Sequence, residues 1–153
     1  MFKLQNNRQI TRSMNKKFII IVILIFVTFS ANTKENSKYY EKGIKNFENK
    51  LYDIAKSNFE KNIVRNPKHV QSYLYLSKIY KLKKKNDEFE KNLNTALLLE
   101  PKNEEALYLF ISKKINDGDY EIAQKKLKIF NQSCKTLCDK KFQLNKLVKK
   151  SKN

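Results

Sequence analysis

The sequence has few of the residues that form tight turns, since its 153 positions hold only two glycines and two prolines. Folds built from many short strands need frequent turns, which glycine and proline supply. From residue 32 onward, apolar residues recur at intervals of three and four, without a long alternating stretch. The sequence therefore predicts one all-α domain and argues against a turn-rich β fold.

Acidic residues and arginine are also scarce. The chain carries 33 lysines and arginines against 15 aspartates and glutamates, a formal charge of +18, and its only arginines are Arg8, Arg12 and Arg65. Proteins that read nucleic acid favour arginine, because its guanidinium makes paired hydrogen bonds to bases and phosphates. The lysine excess, accompanied by much asparagine and isoleucine, is typical of A+T-rich coding and argues against a nucleic-acid partner. An anionic membrane or an acidic partner stays open.

Residues that carry enzymatic chemistry are sparse. The one histidine, His69, stands in a predicted turn after Pro67 and is expected to be solvated, with no cluster of metal ligands beside it. The sequence has no glycine-rich loop for phosphates and no set of nucleophile, base and orienting residue. We interpret the protein as non-enzymatic, with no catalytic residues, no cofactor and no metal.

An export signal is predicted at the amino terminus. Residues 14–31 read MNKKFIIIVILIFVTFSA, in which two lysines precede an apolar run over residues 18–29. As a helix this run would cover about 18 Å, short of the roughly 30 Å hydrocarbon core of a bilayer. Thr28 and Ser30 suit a signal peptidase that cuts after Ser30. We expect export to the bacterial periplasm or cell envelope, and an uncleaved membrane anchor is the alternative.

Two further expectations concern this segment. Met14 begins an ordinary signal sequence by itself, so translation is predicted to start there. A lipoprotein would need a cysteine just after the signal, whereas the first cysteine is Cys134. The predicted organisation is a signal over residues 1–30, a folded region over 31–135 and a basic tail over 136–153.

A repeat follows the signal. Pro67 and Pro101 lie 34 residues apart, and each is followed by lysine. The same shift relates three further sets: Tyr39, Tyr73 and Leu107; Ala55, Phe89 and Ala123; Phe59, Leu93 and Leu127. Because proline disfavours helix at the preceding residue, the two prolines mark boundaries between helical segments. The period predicts a helix-turn-helix unit repeated three times.

On these residues the chain, from about Asn36 to Cys134, resembles the tetratricopeptide repeat family. The signature positions of the family correspond to Tyr39, Gly43, Ala55, Phe59 and Pro67, then to Tyr73, Leu76, Tyr80, Leu93, Ala96 and Pro101, then to Leu107, Ala123 and Leu127. Departures are Phe89, Asn62 and Phe130 in place of alanine and Ile111 in place of glycine. The resemblance implies a superhelix of three helical hairpins.

The predicted helices cover residues 36–49, 52–65, 70–83, 86–99, 104–116 and 120–133. Asn103 is expected to cap the fifth helix, followed by Glu104 and Glu105 at its positive end. Asp119 is expected to cap the sixth, with Gly118 in the turn before it. Helices of this length are marginal alone in water, so each must bury an apolar stripe against a neighbour.

The lysine-rich tail is expected to form a capping helix. From Thr136 onward, Leu137, Leu144, Leu147 and Val148 fall near one face, and Lys140, Lys141, Lys146, Lys149 and Lys150 fall largely elsewhere. The last hairpin of a repeat stack needs a cap with a polar outer surface. The alternative is a basic helix that rests on an anionic membrane or wall polymer.

The resemblance also implies a binding surface, because the first helix of each repeat lines a concave face that commonly binds a peptide. The corresponding residues are Tyr40, Leu74 and Tyr108, then Ile44, Lys78 and Ser112, then Phe47, Lys81 and Ile115. Phe47 and Ile115 fit an inter-helix core equally well. Apolar anchors beside two lysines suit a segment with apolar side chains and some acid. Family members that bind a carboxyl-terminal carboxylate use lysine and asparagine in the first two rows, a pattern absent here.

Cys134 and Cys138 are separated by three residues, one more than in a thioredoxin-like motif. In an oxidising compartment they would form a disulfide that staples the turn before the tail helix. The alternative is a pair of free thiols, one of them packed as a small apolar group.

From these features we predict an exported scaffold or adaptor that binds a protein or peptide segment in its groove. The alternative is a basic envelope-associated protein that attaches electrostatically to an anionic membrane or wall polymer.

Overall fold

The computed structural model describes residues 38–150, so the predicted export signal and the Met14 start lie outside the described residues. This part of the chain is all-helical. Helix α1 covers residues 38–48 within the described range. It is followed by α2 (Tyr52–Arg65), α3 (Val70–Leu82), α4 (Asn86–Leu99), α5 (Glu104–Asn116), α6 (Tyr120–Ser133) and α7 (Lys140–Lys150). The predicted all-α class is confirmed, as are the limits of α2 to α6 to within one residue.

The helices form consecutive hairpins with short turns. Helix α3 packs against α2 and α4, α4 also contacts α5, and α5 packs against α6. Helix α7 lies against both α5 and α6. The arrangement is three hairpins followed by a capping helix, as the repeat predicts.

The turns inside the three hairpins share one backbone feature. Lys50, Lys84 and Gly118 have φ angles of 59°, 57° and 83°, and they lie 34 residues apart. Glycine adopts this left-handed conformation without steric cost, whereas lysine does so at a cost. The predicted role of Gly118 in the turn is confirmed, and the period extends to the backbone angles.

The predicted helix caps meet different outcomes. Asn103 caps α5 as expected, since its Oδ1 accepts from the N–H of Ala106 at 3.0 Å. The prediction for Asp119 is wrong: it makes no side-chain capping bond, and its carboxylate instead accepts from Nζ of Lys114 at 3.2 Å.

The core consists of two apolar clusters. Ala55, Phe59, Leu76 and Ile79 form the smaller one between α2 and α3. The larger one runs from α3 to α7. The positions that depart from the family signature are all buried: Asn62, Phe89, Ile111 and Phe130 are at most 2% exposed. Bulk at these positions is accommodated inside the core.

Helix α7 covers the end of the last hairpin. Leu144 and Val148 are 2% and 3% exposed within the larger cluster, and Leu137 packs against it from the preceding turn. Leu147 does not share their burial, since it is 41% exposed. The predicted capping helix is therefore present, with a narrower apolar stripe than expected.

Between residues 38 and 150, none of the helices combines the length and the hydropathy needed to cross a membrane.

Candidate peptide-binding face

Side chains link the first helices of the three hairpins along one surface. The rings of Tyr40 on α1 and Tyr75 on α3 have centroids 6.1 Å apart. Nζ of Lys78 on α3 lies 2.6 Å from Oε1 of Glu105 on α5. We call the surface formed by Tyr40, Tyr75, Lys78, Glu105, Tyr108 and Ser112 the first-helix face.

Tyr75 is the centre of the aromatic part of this face. Its ring stacks on Phe59 with centroids 4.9 Å apart and meets Phe47 edge-on at 5.1 Å. Nζ of Lys78 lies 4.5 Å from its centroid, within the range of a cation–π contact. The ring is therefore held on several sides, which limits the conformational entropy it can lose when a ligand binds.

Tyr40 lies between this aromatic cluster and the turn before α3. Its ring centroid is 4.5 Å from that of His69, and it packs on the smaller core cluster. Burial raises the pKa of the Tyr40 hydroxyl above its ordinary value, and the nearby Tyr75 and Glu105 raise it further. Tyr40 is consequently a neutral hydroxyl at physiological pH.

His69 is not simply solvated, contrary to expectation. Its Nδ1 accepts from the N–H of Ser72 at 3.2 Å and lies 3.0 Å from the hydroxyl of that residue. The same hydroxyl accepts from Nδ2 of the buried Asn62 at 2.9 Å. His69 therefore caps α3, and its partner Ser72 ties α3 to α2.

The prediction that Leu74 lines the groove is wrong. Leu74 is fully buried in the larger core cluster and cannot contact a partner. The physical reason is the position of α3, which is packed between α2 and α4 and so exposes only a narrow strip. That strip carries Lys78 at its predicted position and Tyr75, which lies one residue beyond the predicted Leu74.

The other predicted residues are spread between core and surface. Ile44 and Phe47 pack against the smaller cluster, and Tyr108 and Ile115 against the larger, each partly buried. Lys81 is exposed, with Nζ 5.9 Å from the ring centroid of Phe89. Ser112 is partly exposed on α5. Their role in binding stays a prediction.

A cleft that the sequence did not predict adjoins the first-helix face. It encloses about 590 Å³, and its lining includes Gln71, Glu105, Lys102, Lys135 and Thr136. Gln71 and Glu105 are 34 residues apart, and they are the second residues of α3 and α5. The 34-residue register could have indicated that Gln71 and Glu105 lie side by side in this cleft. It could not have indicated that the turn between α6 and α7 also lines the cleft.

Glu104 fixes this turn. Its carboxylate accepts from the N–H of Thr136 at 2.9 Å, from the N–H of Leu137 at 3.3 Å and from the Thr136 hydroxyl. The Thr136 hydroxyl bond is the main cause that lowers the pKa of Glu104, with help from the two N–H groups. Glu104 was expected to serve the helix start alone, whereas it also holds the turn before α7 to α5.

The two cysteines lie in the same turn. The structure joins Cys134 to Cys138 by a disulfide with Cα atoms 5.4 Å apart. Potential metal ligands on Glu104, Cys134 and Cys138 lie within 4.8 Å of one another. Because the sulfur atoms bond each other and the carboxylate is taken up by the turn, this group has a structural role here.

Among the comparisons with known proteins, only the comparison of structures supports the fold. No protein-family model matches the sequence, and no curated protein matches it. Among solved structures, the first tetratricopeptide domain of Spaghetti (RPAP3), bound to an HSP90 peptide, has a TM-score of 0.68 at 19% identity. That match covers 78% of this chain and 98% of the other.

Two further solved structures are similar. The complex of the TPR2B domain of yeast Sti1 with pHsp70 has a TM-score of 0.65 at 15% identity, covering 78% of this chain and 97% of the other. The Yersinia enterocolitica secretion chaperone SycD, with a peptide of the translocator YopD, has a TM-score of 0.64 at 12% identity, covering 76% and 91%. The described part of this chain thus has the tetratricopeptide-repeat fold, with three repeats and a capping helix.

Proposed function

We propose that the protein is a non-enzymatic scaffold that binds a peptide segment of a partner protein on its first-helix face. The observation that carries this proposal is the continuous row from Tyr40 through Tyr75 and Lys78 to Glu105, which joins all three hairpins into one surface. The similar RPAP3, Sti1 and SycD structures are complexes with partner proteins or peptides, which supports a peptide ligand here.

The charges on the face favour a segment with apolar side chains and at least one acidic residue. Glu105 pairs with Lys78, so that cation is already balanced. Lys81 is exposed beyond this pair, and Lys102 and Lys135 line the adjoining cleft. An acidic side chain would therefore meet Lys81 or the cleft lysines, while apolar side chains would lie against Tyr40, Tyr75 and Tyr108.

We further propose that the protein acts in the bacterial periplasm or cell envelope. The support is the sequence of residues 14–31, with its lysines, apolar run and small residues before Ala31. Export would also account for a disulfide between Cys134 and Cys138, since oxidising compartments allow such bonds to persist. Fractionation of cells that express the tagged chain tests this: recovery in the cytoplasm alone would contradict export.

Random peptide display on the full chain tests the binding proposal. The selected peptides are measured against Ser112→Arg, which places a long cation on the face, and against Lys81→Glu, which reverses an exposed charge. We expect the long side chain of Ser112→Arg to obstruct the face and to weaken the binding of neutral peptides at least about tenfold, the equivalent of roughly 1.4 kcal/mol. Lys81→Glu should weaken acidic peptides more than neutral ones.

Leu98→Ser is the matched control. Leu98 is 81% exposed on α4, which is the second helix of its hairpin and so lies outside the first-helix face. Binding should be unchanged by this substitution, and circular dichroism should show the same helix content in all variants. If the selected peptides bind Ser112→Arg and Lys81→Glu as tightly as the original chain, the first-helix face is not the site.

A further inference from the structure

The outward surface of α7 has an aromatic residue among lysines. Phe142 is 80% exposed, although phenylalanine is among the residues most often buried. Lys146 and Lys149 follow it by four and seven residues, so they lie on the same side of the helix. Leu144 and Val148, on the opposite side, face the core. We call the surface of Phe142, Lys146 and Lys149 the α7 outer face.

Negative charge is absent from this helix. Residues 140–150 contain five lysines and no aspartate or glutamate. Two acids close to α7 already pair with lysines. Oδ2 of Asp139, just before the helix, lies 2.8 Å from Nζ of Lys140, and Oε1 of Glu121, which lines the cleft between α6 and α7, lies 2.6 Å from Nζ of Lys125. The positive field of the α7 outer face is therefore not cancelled by its own helix or by these two neighbours.

The basic surface continues onto α6. Lys128 and Lys149 line a common cleft of about 620 Å³ between α6 and α7. The positive charges thus extend across two helices, which suits a broad anionic surface better than a single anionic group.

The outer face is presented while the cap stays in place. Leu144 and Val148 are held in the core, and the side-chain amides of Asn145 and Asn131 lie 3.3 Å apart across α7 and α6. Glu104 anchors the turn that leads into α7. A flat partner could therefore bind Phe142 and its lysines without undocking the helix.

We propose that the α7 outer face docks on an anionic lipid surface, with Phe142 in the boundary between headgroups and acyl chains and the lysines at lipid phosphates. A basic helix with an aromatic residue on its exposed side has the chemistry of an interfacial membrane contact. Each lysine near such a surface strengthens binding about fivefold. One exposed phenylalanine is a small apolar area for a protein interface, but it is enough to enter a lipid boundary that lysines already attract. The contact is independent of peptide binding, because different residues form it.

A single fluorescent reporter tests the contact. The chain contains no tryptophan, so Phe142→Trp introduces the only one. In the full chain, the apolar run of residues 18–29 would bind vesicles of any composition, so sedimentation alone would not identify the contact. A local reporter at position 142 responds only if α7 itself enters the membrane.

The matched control is Leu98→Trp. Leu98 is 81% exposed, as Phe142 is at 80%, but it lies on α4. With phosphatidylglycerol vesicles we expect a blue shift of tryptophan emission and quenching by brominated lipid for Phe142→Trp. Leu98→Trp should show neither. With phosphatidylcholine vesicles both reporters should stay unchanged, and added salt should reverse the shift at position 142.

Charge removal completes the test. Adding Lys146→Gln and Lys149→Gln to the Phe142→Trp chain should lower the ratio of docked to undocked helix about thirtyfold, at about 1 kcal/mol per lysine. Lys61→Gln with Lys91→Gln, two exposed lysines on α2 and α4, should leave the shift intact. The proposal is overturned by an unchanged emission on phosphatidylglycerol vesicles, by an equal shift at position 98 or by a shift indifferent to Lys146 and Lys149. Binding of a soluble anionic polymer without lipid quenching would also overturn it.

Discussion

Gly43 of α1 lies directly against the ring of Phe59 of α2. A Cβ atom added at Gly43 would sit 2.5 Å from Cε1 of Phe59, far inside van der Waals contact. Phe59 is fully buried and stacks on Tyr75, so its ring has no free space to move into. The close approach of the first two helices depends on the absence of a side chain at this position.

Gly43→Ala is therefore expected to destabilise the protein. Alanine favours helix over glycine, by about 1 kcal/mol in an exposed helix interior, but the clash with Phe59 should outweigh that gain. Overpacking of a filled core costs about 1–3 kcal/mol. Chemical denaturation should show a lower free energy of unfolding, and a variant as stable as the original chain would contradict the packing described here.

The register of the repeat explains why glycine is needed in one hairpin only. The 34-residue shift relates Gly43 to Ser77 and Ile111, and it relates Phe59 to Leu93 and Leu127. The residue on the first helix becomes larger from one hairpin to the next, whereas its counterpart on the second helix is largest in the first hairpin. Only the first hairpin places a phenylalanine ring at this position of its second helix, so only there does the first helix need a residue without a side chain.

Lys84 is the site of a second prediction. Its φ of 57° is strained for lysine, and Gly118 has the same role in the third hairpin. Lys84→Gly should raise the free energy of unfolding by about 0.5–1 kcal/mol, because the gain from relieved strain exceeds the entropic cost of glycine. Thermal denaturation measures the effect.

Gly118→Lys provides the reverse test. Apart from Gly118 itself and its two neighbours in the chain, no heavy atom lies within 4 Å of a Cβ built at this position, so the substitution has room and only the backbone angle opposes it. It should lower the free energy of unfolding by about 1 kcal/mol. Opposite signs for Lys84→Gly and Gly118→Lys would show that backbone angle, and not lost contacts, governs these turns.

The sequence predicted the helices well because periodicity and proline position determine them. It predicted less well which side chains reach the surface of the first helices, as Leu74 and Tyr75 illustrate. A repeat register says which residues are equivalent, but how far each is buried depends on its neighbours. Helix α3 is packed on both sides, so a one-residue difference separates a core position from a surface one.

Long-range polar contacts were also beyond the sequence. Glu104 and Thr136 are 32 residues apart, and nothing in the local pattern joins them. Asp119 was expected to cap α6, but Lys114 competes for its carboxylate. Such pairs form only once the hairpins have packed.

His69 gives a prediction about pH. Burial lowers its pKa below the ordinary 6.5, so the unfolded chain binds more protons than the folded chain at pH values between the two pKa values. The contribution of neutral His69 to stability is fully present above pH 6.5 and is lost as the pH falls through its folded pKa. Thermal denaturation between pH 8 and pH 5, at about one-unit intervals, should show this decline.

His69→Asn should remove that pH dependence while it keeps the cap on α3. Asparagine is a strong N-cap residue, so the side chain can still accept from the N–H of Ser72. His69→Ala loses the cap as well and should cost about 1 kcal/mol at neutral pH. An unchanged pH profile in His69→Asn would assign the titration to another group.

The disulfide gives a fourth prediction. Cys134 and Cys138 close a short loop with a sequence separation of 4, so its loss should lower the free energy of unfolding by about 2 kcal/mol. Denaturation with and without a reducing agent measures this. A variant with both cysteines changed to serine should not respond to the reducing agent.

Intact mass after alkylation under non-reducing conditions provides the direct check. The chain purified without a reducing agent should take up no alkyl group before reduction and two afterwards. Alkylation of both thiols before reduction would show that the cysteines are free.

The burial of Leu144 and Val148 has a consequence for self-association. A stack of hairpins has two open ends, and copies that joined end to end would grow into a filament without a natural stop. Helix α7 occupies the surface that another hairpin would need at the end formed by α5 and α6. Head-to-tail polymerisation through that surface is therefore blocked by the chain's own tail.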